Sequence, residues 1–482
     1  MTAVGLRSER GPVLLAIMVS TGLVAIDATI LATAVPSVVK DIGGFSAFPW
    51  LFSIYLLAQA VTVPIYSKLA DMIGRKPIII IGIGLFLLGS VLCGVAWSMP
   101  ALIVFRALQG LGAGAVSPMS ITIIGDIYTV AERARVQGYV AGVWAVASVI
   151  GPTLGGVFSQ FASWRWIFYV NVPICVLAVI LLLRGFHEKV EKRPHRIDFA
   201  GAGLLAASTA LIVLGVLEGG VAWPWDSPVS IGIFAVGALL VAAFIVVERR
   251  VAEPVLPLWV FGRRLLLTTS LVGFGVGAAL IGLSSFVPTY LEGSIAATPL
   301  VAGLALAALT VGWPVAATFA GRLYLRIGFR LTALIGSAFV VGGAIVLAAF
   351  GLQPSLIIVA IACFVVGFGF GWSAVPSLIA AQSSVGWGER GVVTGANMFA
   401  RSIGSAVGAA IFGAIANGVI AARGGNENDP ATVALASTGV FIGIAITAVL
   451  IVFAVLAMPK TPVTASASAA PSAPAADAAV PG

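Results

Sequence analysis

The chain is a succession of apolar runs, each about as long as a bilayer is thick, separated by short charged segments. The run from Ile78 to Val95 contains no charged side chain and no alternation of polar and apolar residues. Of the 482 residues, 60% are hydrophobic and only 9% are charged, whereas soluble domains contain roughly 25% charged residues. A barrel strand would alternate with a period of two. The sequence therefore excludes a soluble enzyme and predicts an all-α integral membrane protein.

The runs predict fourteen transmembrane helices, because about 20 residues are needed to cross a bilayer. Each run is bounded by charge, proline or glycine. The helices are predicted to begin near Val13, Ala47, Pro77, Pro100, Val136, Trp164, Asp198, Pro228, Leu266, Pro299, Leu331, Ser355, Gly391 and Ala434.

The distribution of basic residues predicts which loops are cytoplasmic, since Lys and Arg accumulate on that side. With the N-terminus inside, 21 of the 26 Lys and Arg lie in cytoplasmic segments, three lie outside and two lie within spans. Both termini are therefore predicted to be cytoplasmic. The net charge of +8 then follows from membrane topology, so we expect no nucleic-acid partner.

An internal repeat relates two of the predicted cytoplasmic loops. Residues Ser67–Lys76 align with Gly321–Arg330 at a constant offset, and the glycine, two aliphatic positions and two basic positions recur. These loops follow helices 2 and 10, so the fourteen helices divide into two six-helix pseudo-repeats, 1–6 and 9–14, with an inserted pair, 7–8. Duplicated helical halves with a site at their interface are typical of secondary transporters.

This division predicts five segments along the chain, and the last is expected to be disordered because its Ala, Pro, Ser and Thr residues cannot form a core. They are a cytoplasmic N-terminus (1–12), an N-terminal six-helix bundle (13–184), a basic loop with inserted helices 7–8 (185–265), a C-terminal six-helix bundle (266–458) and a cytoplasmic tail (459–482).

One acidic residue, Asp27, lies well inside a predicted span, and an intramembrane carboxylate is a functional hypothesis by default. Arg106 of helix 4 is predicted to lie in the same outer half of the membrane. Burial favours the neutral form of a carboxyl group, whereas a neighbouring Arg favours its charged form. Asp27 and Arg106 are therefore predicted to form a proton-coupling site. The alternative is a fixed ion pair that only orders helices 1 and 4.

Two further segments combine glycine either with charged side chains or with a proline that bends the helix. The loop Asp71, Gly74, Arg75 and Lys76 places a carboxylate and a tight turn at the membrane face, as a gate or as a solvated loop. In helix 5, Gly151, Pro152, Gly155 and Gly156 predict a kink and close helix packing, which either only packs the helix or also controls how a cavity opens.

These segments resemble motifs of the major facilitator superfamily, specifically of its fourteen-span drug/proton antiporter branch. The loop Leu69–Lys76 resembles the gate motif, Arg106–Gly110 the helix 4 motif tied to proton transfer, and Gly151–Gly156 the antiporter motif of helix 5. Asp27–Pro36 and Trp164–Pro173 are similar to the motifs of helices 1 and 6 in that branch.

The resemblance implies a multidrug efflux protein that exports hydrophobic or amphipathic compounds in exchange for protons, by alternating access of two bundles. It implies no enzyme activity, no cofactor, no metal, a monomer and a bacterial plasma (inner) membrane. A lipid exporter or a proton-coupled importer of the same fold remains an alternative. An integral-membrane transferase is a further alternative, although no cluster of catalytic residues is recognisable in the sequence.

The sequence does not name the cargo. Polar or aromatic residues within predicted spans are the candidates for lining a substrate cavity, although such residues also serve for packing. They are Gln59, Trp144, Asn171, Trp313, Asn397 and Arg401.

Overall fold

The structure is a computed structural model, and it describes residues 5–43, 50–188, 198–219, 222–251, 254–423 and 429–460. Within these ranges the chain folds into fourteen long α-helices. Their bounds are α1 Gly11–Ile42, α2 Trp50–Ile73, α3 Arg75–Gly94, α4 Met99–Ile127, α5 Val130–Phe161, α6 Asn171–Gly185, α7 Phe199–Glu218, α8 Pro228–Glu248, α9 Arg264–Ile295, α10 Pro299–Ile327, α11 Phe329–Ala349, α12 Leu356–Ser383, α13 Arg390–Ala422 and α14 Pro430–Ala457.

The described helices confirm an all-α, multi-pass membrane fold. Among the described residues, 13 helical segments are long and apolar enough to cross a membrane. The segment containing α5, which carries Glu132 and Arg133 near its start, is not one of them. The total of fourteen spans therefore stays a prediction. Most of the predicted tail, residues 461–482, lies outside the described residues, as does Ala47.

Several helices begin at a side-chain cap followed by proline. Ser98, Ser227, Thr298 and Asp429 accept hydrogen bonds from backbone N–H groups in the first turns of α4, α8, α10 and α14, and proline occupies an early position in each helix. The cap satisfies a free N–H, and proline has none to satisfy. The prolines that bounded the predicted spans therefore mark real helix starts.

The helices pack as two sets of six with a pair at their junction. Helices α1–α6 pack on one another, most extensively α3 on α4, α1 on α5 and α2 on α4, and α9–α14 pack likewise through α10 on α12 and α9 on α13. In the inserted pair, α7 packs against α2 and α13, and α8 packs on α7. The segment limits predicted from the sequence stay predictions, but the helix order matches them.

The two loops of the predicted repeat have the same backbone geometry. Gly74 joins α2 to α3 with a φ of 102°, and Gly328 joins α10 to α11 with a φ of 86°. A positive φ is unfavourable for residues with a Cβ. The glycine shared by the two loops is therefore required for the turn that reverses the chain after α2 and after α10.

Small residues bring α3 and α4 into close contact behind the first bundle's polar core. A Cβ atom on Gly89 of α3 would lie 2.7 Å from the Cα and 2.8 Å from the Cβ of Gln109. Real Cβ atoms do not approach this closely, so the backbone of α4 would have to move. In contrast, a Cβ on Gly84 of the same helix would meet nothing within 4 Å.

We expect Gly89→Val to destabilise the protein by about 1–3 kcal/mol, because it overpacks the α3–α4 interface. The measurement is thermal unfolding in detergent, with Gly84→Val as the matched control. Equal stability of the two variants would contradict the packing described for α3 and α4.

Candidate functional site

A buried ion pair connects α1 and α4 inside the first bundle. Arg106 Nη1 donates a hydrogen bond to Asp27 Oδ2 at 2.8 Å, and both side chains are almost inaccessible, at 2% and 1% exposure. Asp27 lies sixteen residues into the 32-residue α1, or about 24 Å from its start at 1.5 Å per residue. The only acid well inside a predicted span is thus paired, midway along α1, with the Arg predicted for it.

Gln109 completes a triangle with this pair. Its Nε2 donates to Asp27 Oδ1 at 2.8 Å, and its Oε1 accepts from Arg106 Nη1 at 2.7 Å. Arg106 and Gln109 are separated by one turn of α4, so they lie on the same helix face. Each oxygen of the Asp27 carboxylate therefore has its own donor.

Two more polar side chains surround the carboxylate. Asn171 Nδ2 donates to Asp27 Oδ1 at 3.2 Å and to Ser90 Oγ at 3.0 Å, while Ser90 donates to the Phe168 carbonyl at 2.9 Å. The five residues Asp27, Ser90, Arg106, Gln109 and Asn171 are buried and are called the Asp27 cluster below. They come from α1, α3, α4 and α6, so the cluster joins four helices of one bundle.

The Arg106 guanidinium has two additional contacts that hold it in place. Its Nε donates to the Leu51 carbonyl at 3.1 Å, and its carbon lies 4.2 Å from the centre of the Tyr55 ring. Both residues belong to α2. A charged Arg can remain in this buried position because a carboxylate, a carbonyl and an aromatic face all stabilise its charge.

The glycines of α5 lie beside α1 close to Asp27. A Cβ on Gly151 would lie 2.9 Å from Thr29 Cβ and 3.2 Å from the Ile30 nitrogen. Thr29 also donates to the Ala147 carbonyl at 3.1 Å. Gly155 is buried, a Cβ on Gly156 would meet nothing within 4 Å, and the Pro152 side chain lies outside the description. Gly151 is thus the position where α5 approaches α1.

A second group of charges lies at the end of the molecule where α1 begins and α14 ends, called the termini face below. Asp71, near the end of α2, accepts hydrogen bonds from the backbone N–H groups of Gly391 at 3.1 Å and Val392 at 2.7 Å. These N–H groups belong to the first turn of α13. A carboxylate at a helix N-terminus is stabilised by the free N–H groups and by the helix dipole. Asp71 therefore connects the first bundle to the second.

Arg75 strengthens the same connection. Its guanidinium lies 2.6 Å from Asp71 Oδ1 and 3.0 Å from Asp126 Oδ2, and it stacks 3.8 Å from the centre of the Trp387 ring. It also donates to the Trp387 carbonyl at 2.8 Å. Trp387 precedes α13, so Arg75 contacts both bundles while being fully buried.

Lys76 has a different role from Arg75. Its Nζ donates to the Leu183 and Phe186 carbonyls at the end of α6, at 3.1 and 2.5 Å. The Glu188 carboxylate in turn accepts from the backbone N–H groups of Arg75 and Lys76, at 3.0 and 2.9 Å. These contacts cap α3 and α6 within the first bundle.

Two further contacts between the bundles lie at the termini face. Arg390 Nη1 donates to the Gly125 carbonyl at 2.9 Å and to Asp126 Oδ1 at 3.2 Å. Tyr324 donates to the Val130 carbonyl at 2.8 Å. Within the described part of the chain, all hydrogen bonds and ion pairs between the bundles occur at this end. The structure is therefore closed at the termini face.

The candidate cavity residues are not all in similar surroundings. Asn171 belongs to the Asp27 cluster, and Asn397 donates to the Thr269 carbonyl of α9 at 2.9 Å, inside the second bundle. Trp144 is 42% exposed and Gln59 is partly exposed. Trp313 and Arg401 contact each other, with the guanidinium carbon 5.2 Å from the ring centre.

Four of the residues at these sites were not predicted from the sequence, namely Ser90, Asp126, Trp387 and Arg390, and Gln109 lies within the helix 4 motif Arg106–Gly110 but was assigned no role of its own. Asp126 and Arg390 are charged residues at helix ends, which is the signal that singled out Asp71, so they could have been found. Gln109 follows Arg106 by one helical turn, which also could have been noticed. Ser90 and Trp387 come close to the charges only through tertiary packing, and their spacing along the chain carries no signal.

Comparison with known proteins agrees with this arrangement of two six-helix sets around buried charges. A sequence profile described as Major Facilitator Superfamily matches residues 17–409. The chain belongs to this superfamily. It is accordingly a membrane transporter.

Its relatives include two proteins of Bacillus subtilis (strain 168). The chain is 33% identical over 426 residues to the multidrug transporter protein MdtP, covering 88% of this chain and 78% of the relative. It is 34% identical over 412 residues to multidrug resistance protein 3, covering 84% and 80%. The solved proton:xylose symporter XylE has the same fold, with a TM-score of 0.63 at 14% identity over 94% of this chain and 97% of XylE.

We expect Asp71→Asn to loosen the contact at the termini face. A carboxylate at a helix N-terminus contributes about 0.3–2 kcal/mol, which corresponds to a population change of about two- to thirty-fold. A reporter is Ser67→Cys, because Ser67 is 1% exposed and its Cβ lies 2.5 Å from the position of a Cβ on Gly395 in α13. The labelling rate of this cysteine with an aqueous maleimide should rise by that factor.

The repeat supplies a matched control, since Leu325 of α10 occupies the position equivalent to Asp71. Leu325→Asn in the same Ser67→Cys background should leave the labelling rate unchanged. The native cysteines Cys93, Cys175 and Cys363 are buried and contribute little background. An unchanged rate in Asp71→Asn would show that Asp71 does not hold the bundles together.

Proposed function

We propose that this chain is a proton-coupled exporter of hydrophobic or amphipathic compounds that works by alternating access. The observation that carries the proposal is the buried Asp27–Arg106 ion pair, a titratable group held by a single countercharge midway along α1. The names of the two Bacillus relatives support a multidrug cargo. A bacterial plasma (inner) membrane location with both termini cytoplasmic, and a monomeric state, are part of the same proposal.

In this proposal the protonation state of Asp27 is linked to the conformation of the first bundle. The charged carboxylate pairs with Arg106 and accepts from Gln109 and Asn171. When Asp27 takes up a proton, the ion pair is lost and one carboxylate oxygen becomes a donor. Arg106 must then be stabilised by Leu51, Gln109 and Tyr55. The contacts between α1, α2 and α4 therefore differ between the protonated and deprotonated forms.

The contacts at the termini face supply the other half of the mechanism. The structure is closed there, which corresponds to an outward-facing state if the termini are cytoplasmic. Asp71, Arg75, Asp126 and Arg390 can make their contacts across the bundles only while this face is closed. A contact made in one state biases the equilibrium by its own free energy. Binding of the proton and of the cargo then shifts the equilibrium between the states closed and open at the termini face, which these contacts bias toward the closed state.

Asp27→Asn tests the coupling directly, because the amide keeps the shape of the side chain but cannot titrate. The assay is uptake of the neutral dye N-phenylnaphthylamine into everted vesicles with an imposed pH gradient, acid inside. We expect gradient-driven uptake to fall to the level of vesicles without the protein. Exchange of dye in the absence of a gradient should persist, which shows that the variant is folded.

The control for this variant is Asp41→Asn, which removes another carboxylate from α1. Asp41 is paired with Arg165 at 2.6 Å, but its side chain is 47% exposed. Its variant should transport normally. Retained gradient-driven uptake in Asp27→Asn would show that Asp27 does not couple proton and cargo movement.

Arg106→Ala should be at least as damaging, because it leaves Asp27 buried without its partner. Breaking a buried pair in this way costs about 3–5 kcal/mol while the remaining group stays charged, so Asp27 is driven toward its neutral form. We expect the pH dependence of transport to disappear in this variant. A wild-type pH profile in Arg106→Ala would show that Arg106 does not control the charge of Asp27.

A further inference from the structure

Arg401 of α13 is a guanidinium inside the second bundle that the proposed mechanism does not use. Its side chain is partly buried, and its described contact is with the Trp313 ring at 5.2 Å. The buried Arg75, Arg106 and Arg390 each lie within 4.0 Å of a carboxylate. Among the described residues, no carboxylate lies within that distance of Arg401. In the same part of the chain, no residue accepts a hydrogen bond from the Arg401 guanidinium.

The Arg401–Trp313 pair lies on the side of the second bundle that faces the first. Helix α10, which carries Trp313, packs against α5, and α13 packs against α2 and α4. Within the second bundle, α10 packs extensively on α12 and α13 on α9, and α9 and α12 contact each other. The two helices that carry the pair both belong to the second bundle and each packs against the first bundle, so the side chains meet on the side of the second bundle that faces the first.

The pair lies within about 8 Å of the depth of Asp27, measured along the helices from the termini face. Arg401 is eleven residues from the start of α13, or about 16 Å along its axis. Trp313 is fourteen residues from either end of the 29-residue α10, or about 21 Å. Trp313 is at the middle of α10, as Asp27 is in α1, whereas Arg401 is one third of the way along the 33-residue α13. A compound held between the bundles would meet both sites.

An unpaired charge at this depth is costly, and such charges usually mark a substrate pathway. The ring contact stabilises the cation but leaves the N–H donors of the guanidinium free for an anion, which Arg binds in a two-pronged geometry. The Trp313 ring packs at a tilt against the fully buried Phe370, with 5.6 Å between ring centres, and Trp313 itself adds apolar surface beside the charge. In the first bundle, Arg106 pairs with Asp27, so the described Asp27 cluster presents no net negative charge to Arg401.

We propose that Arg401 and Trp313 form a binding subsite for the negatively charged group of an amphiphilic substrate, namely a carboxylate, sulfonate or phosphate attached to an aromatic or aliphatic body. The anionic group contacts the Arg401 guanidinium, and the apolar body contacts the partly exposed Trp313 ring. This subsite rests on the proposed function, since it assigns a chemical class to the cargo of the same cavity.

Two dyes with the same apolar body test the subsite. Anilinonaphthalene sulfonate differs from N-phenylnaphthylamine by its sulfonate group, so binding of both to the protein in phosphatidylcholine nanodiscs isolates the charge. Arg401→Gln should weaken binding of the sulfonate dye by at least about tenfold and leave the neutral dye unchanged. Arg401→Lys should retain most of the sulfonate binding, and the exposed Arg326→Gln should alter neither dye.

Wild-type protein gives a second measurement that does not depend on a variant folding. Phenylglyoxal modifies accessible arginines, and mass spectrometry locates the modified positions. The sulfonate dye should protect Arg401 from modification, whereas Arg326 should react equally with and without the dye. An unchanged affinity of Arg401→Gln for the sulfonate dye overturns the subsite. So does an equal loss of affinity for both dyes in this variant, if the sulfonate dye also fails to protect Arg401 of the wild type from phenylglyoxal.

Anionic lipid distinguishes two sources of the same chemistry. If phosphatidylglycerol in the nanodisc weakens sulfonate binding to wild type but not to Arg401→Gln, the subsite accepts a lipid headgroup. If it has no effect, the subsite is specific for free anionic amphiphiles. Binding needs no pH gradient, so wild-type protein that binds through Arg401 but shows no gradient-driven transport would refute the proposed function and leave the subsite standing.

Discussion

The first bundle is organised around the need to neutralise one carboxylate inside a membrane. Asp27 cannot stay charged at that depth without a countercharge, and Arg106 supplies it from another helix. The pair in turn requires donors and acceptors from α3, α4 and α6, which Ser90, Gln109 and Asn171 provide. Close packing at Gly89 brings α3 to α4 at this level. One buried charge therefore determines how four helices approach one another.

The closed end of the molecule uses charge in a different way. Asp71 stabilises the first turn of α13 through two backbone N–H groups, and Arg75 joins Asp71, Asp126 and Trp387. A Cβ at Gly391 would lie 2.5 Å from Asp71 Oδ1, so glycine is needed for the carboxylate to reach the helix end. These contacts are short and cross between the bundles, so they are lost together when the bundles separate. The free energy that these contacts contribute to the closed state must be supplied when the bundles separate during a transport cycle.

Much of the fold followed from periodic and compositional features of the sequence. The apolar runs predicted the helices, and prolines predicted where several of them begin. The internal repeat predicted that the turns at Gly74 and Gly328 are equivalent. Asp27 and Arg106 could be paired because charged residues inside spans are few and must be neutralised. Ser90, and the contact of Asn171 with Asp27, could not be predicted from spacing, because both side chains are neutral and join the cluster only through the packing of α3 and α6.

The second bundle shows the limits of the same reasoning. Arg401 and Asn397 are one helical turn apart and were both candidates for the cavity, but Asn397 bonds to a carbonyl of α9 while Arg401 reaches across to Trp313. Sequence position alone could not separate these two environments. The pairing of a cation with an aromatic ring on a helix 88 positions away in the chain is a property of the packed structure.

The central claim is that Asp27 links proton binding to cargo binding, and such linkage is reciprocal. If the proton and the cargo oppose each other, adding cargo must displace the proton. The direct measurement is the pH change in a weakly buffered solution of purified protein when N-phenylnaphthylamine is added. The account predicts release of up to about one proton per bound dye from wild type and none from Asp27→Asn. Equal proton release from both proteins, or no release from wild type across the pH range of transport, would contradict it.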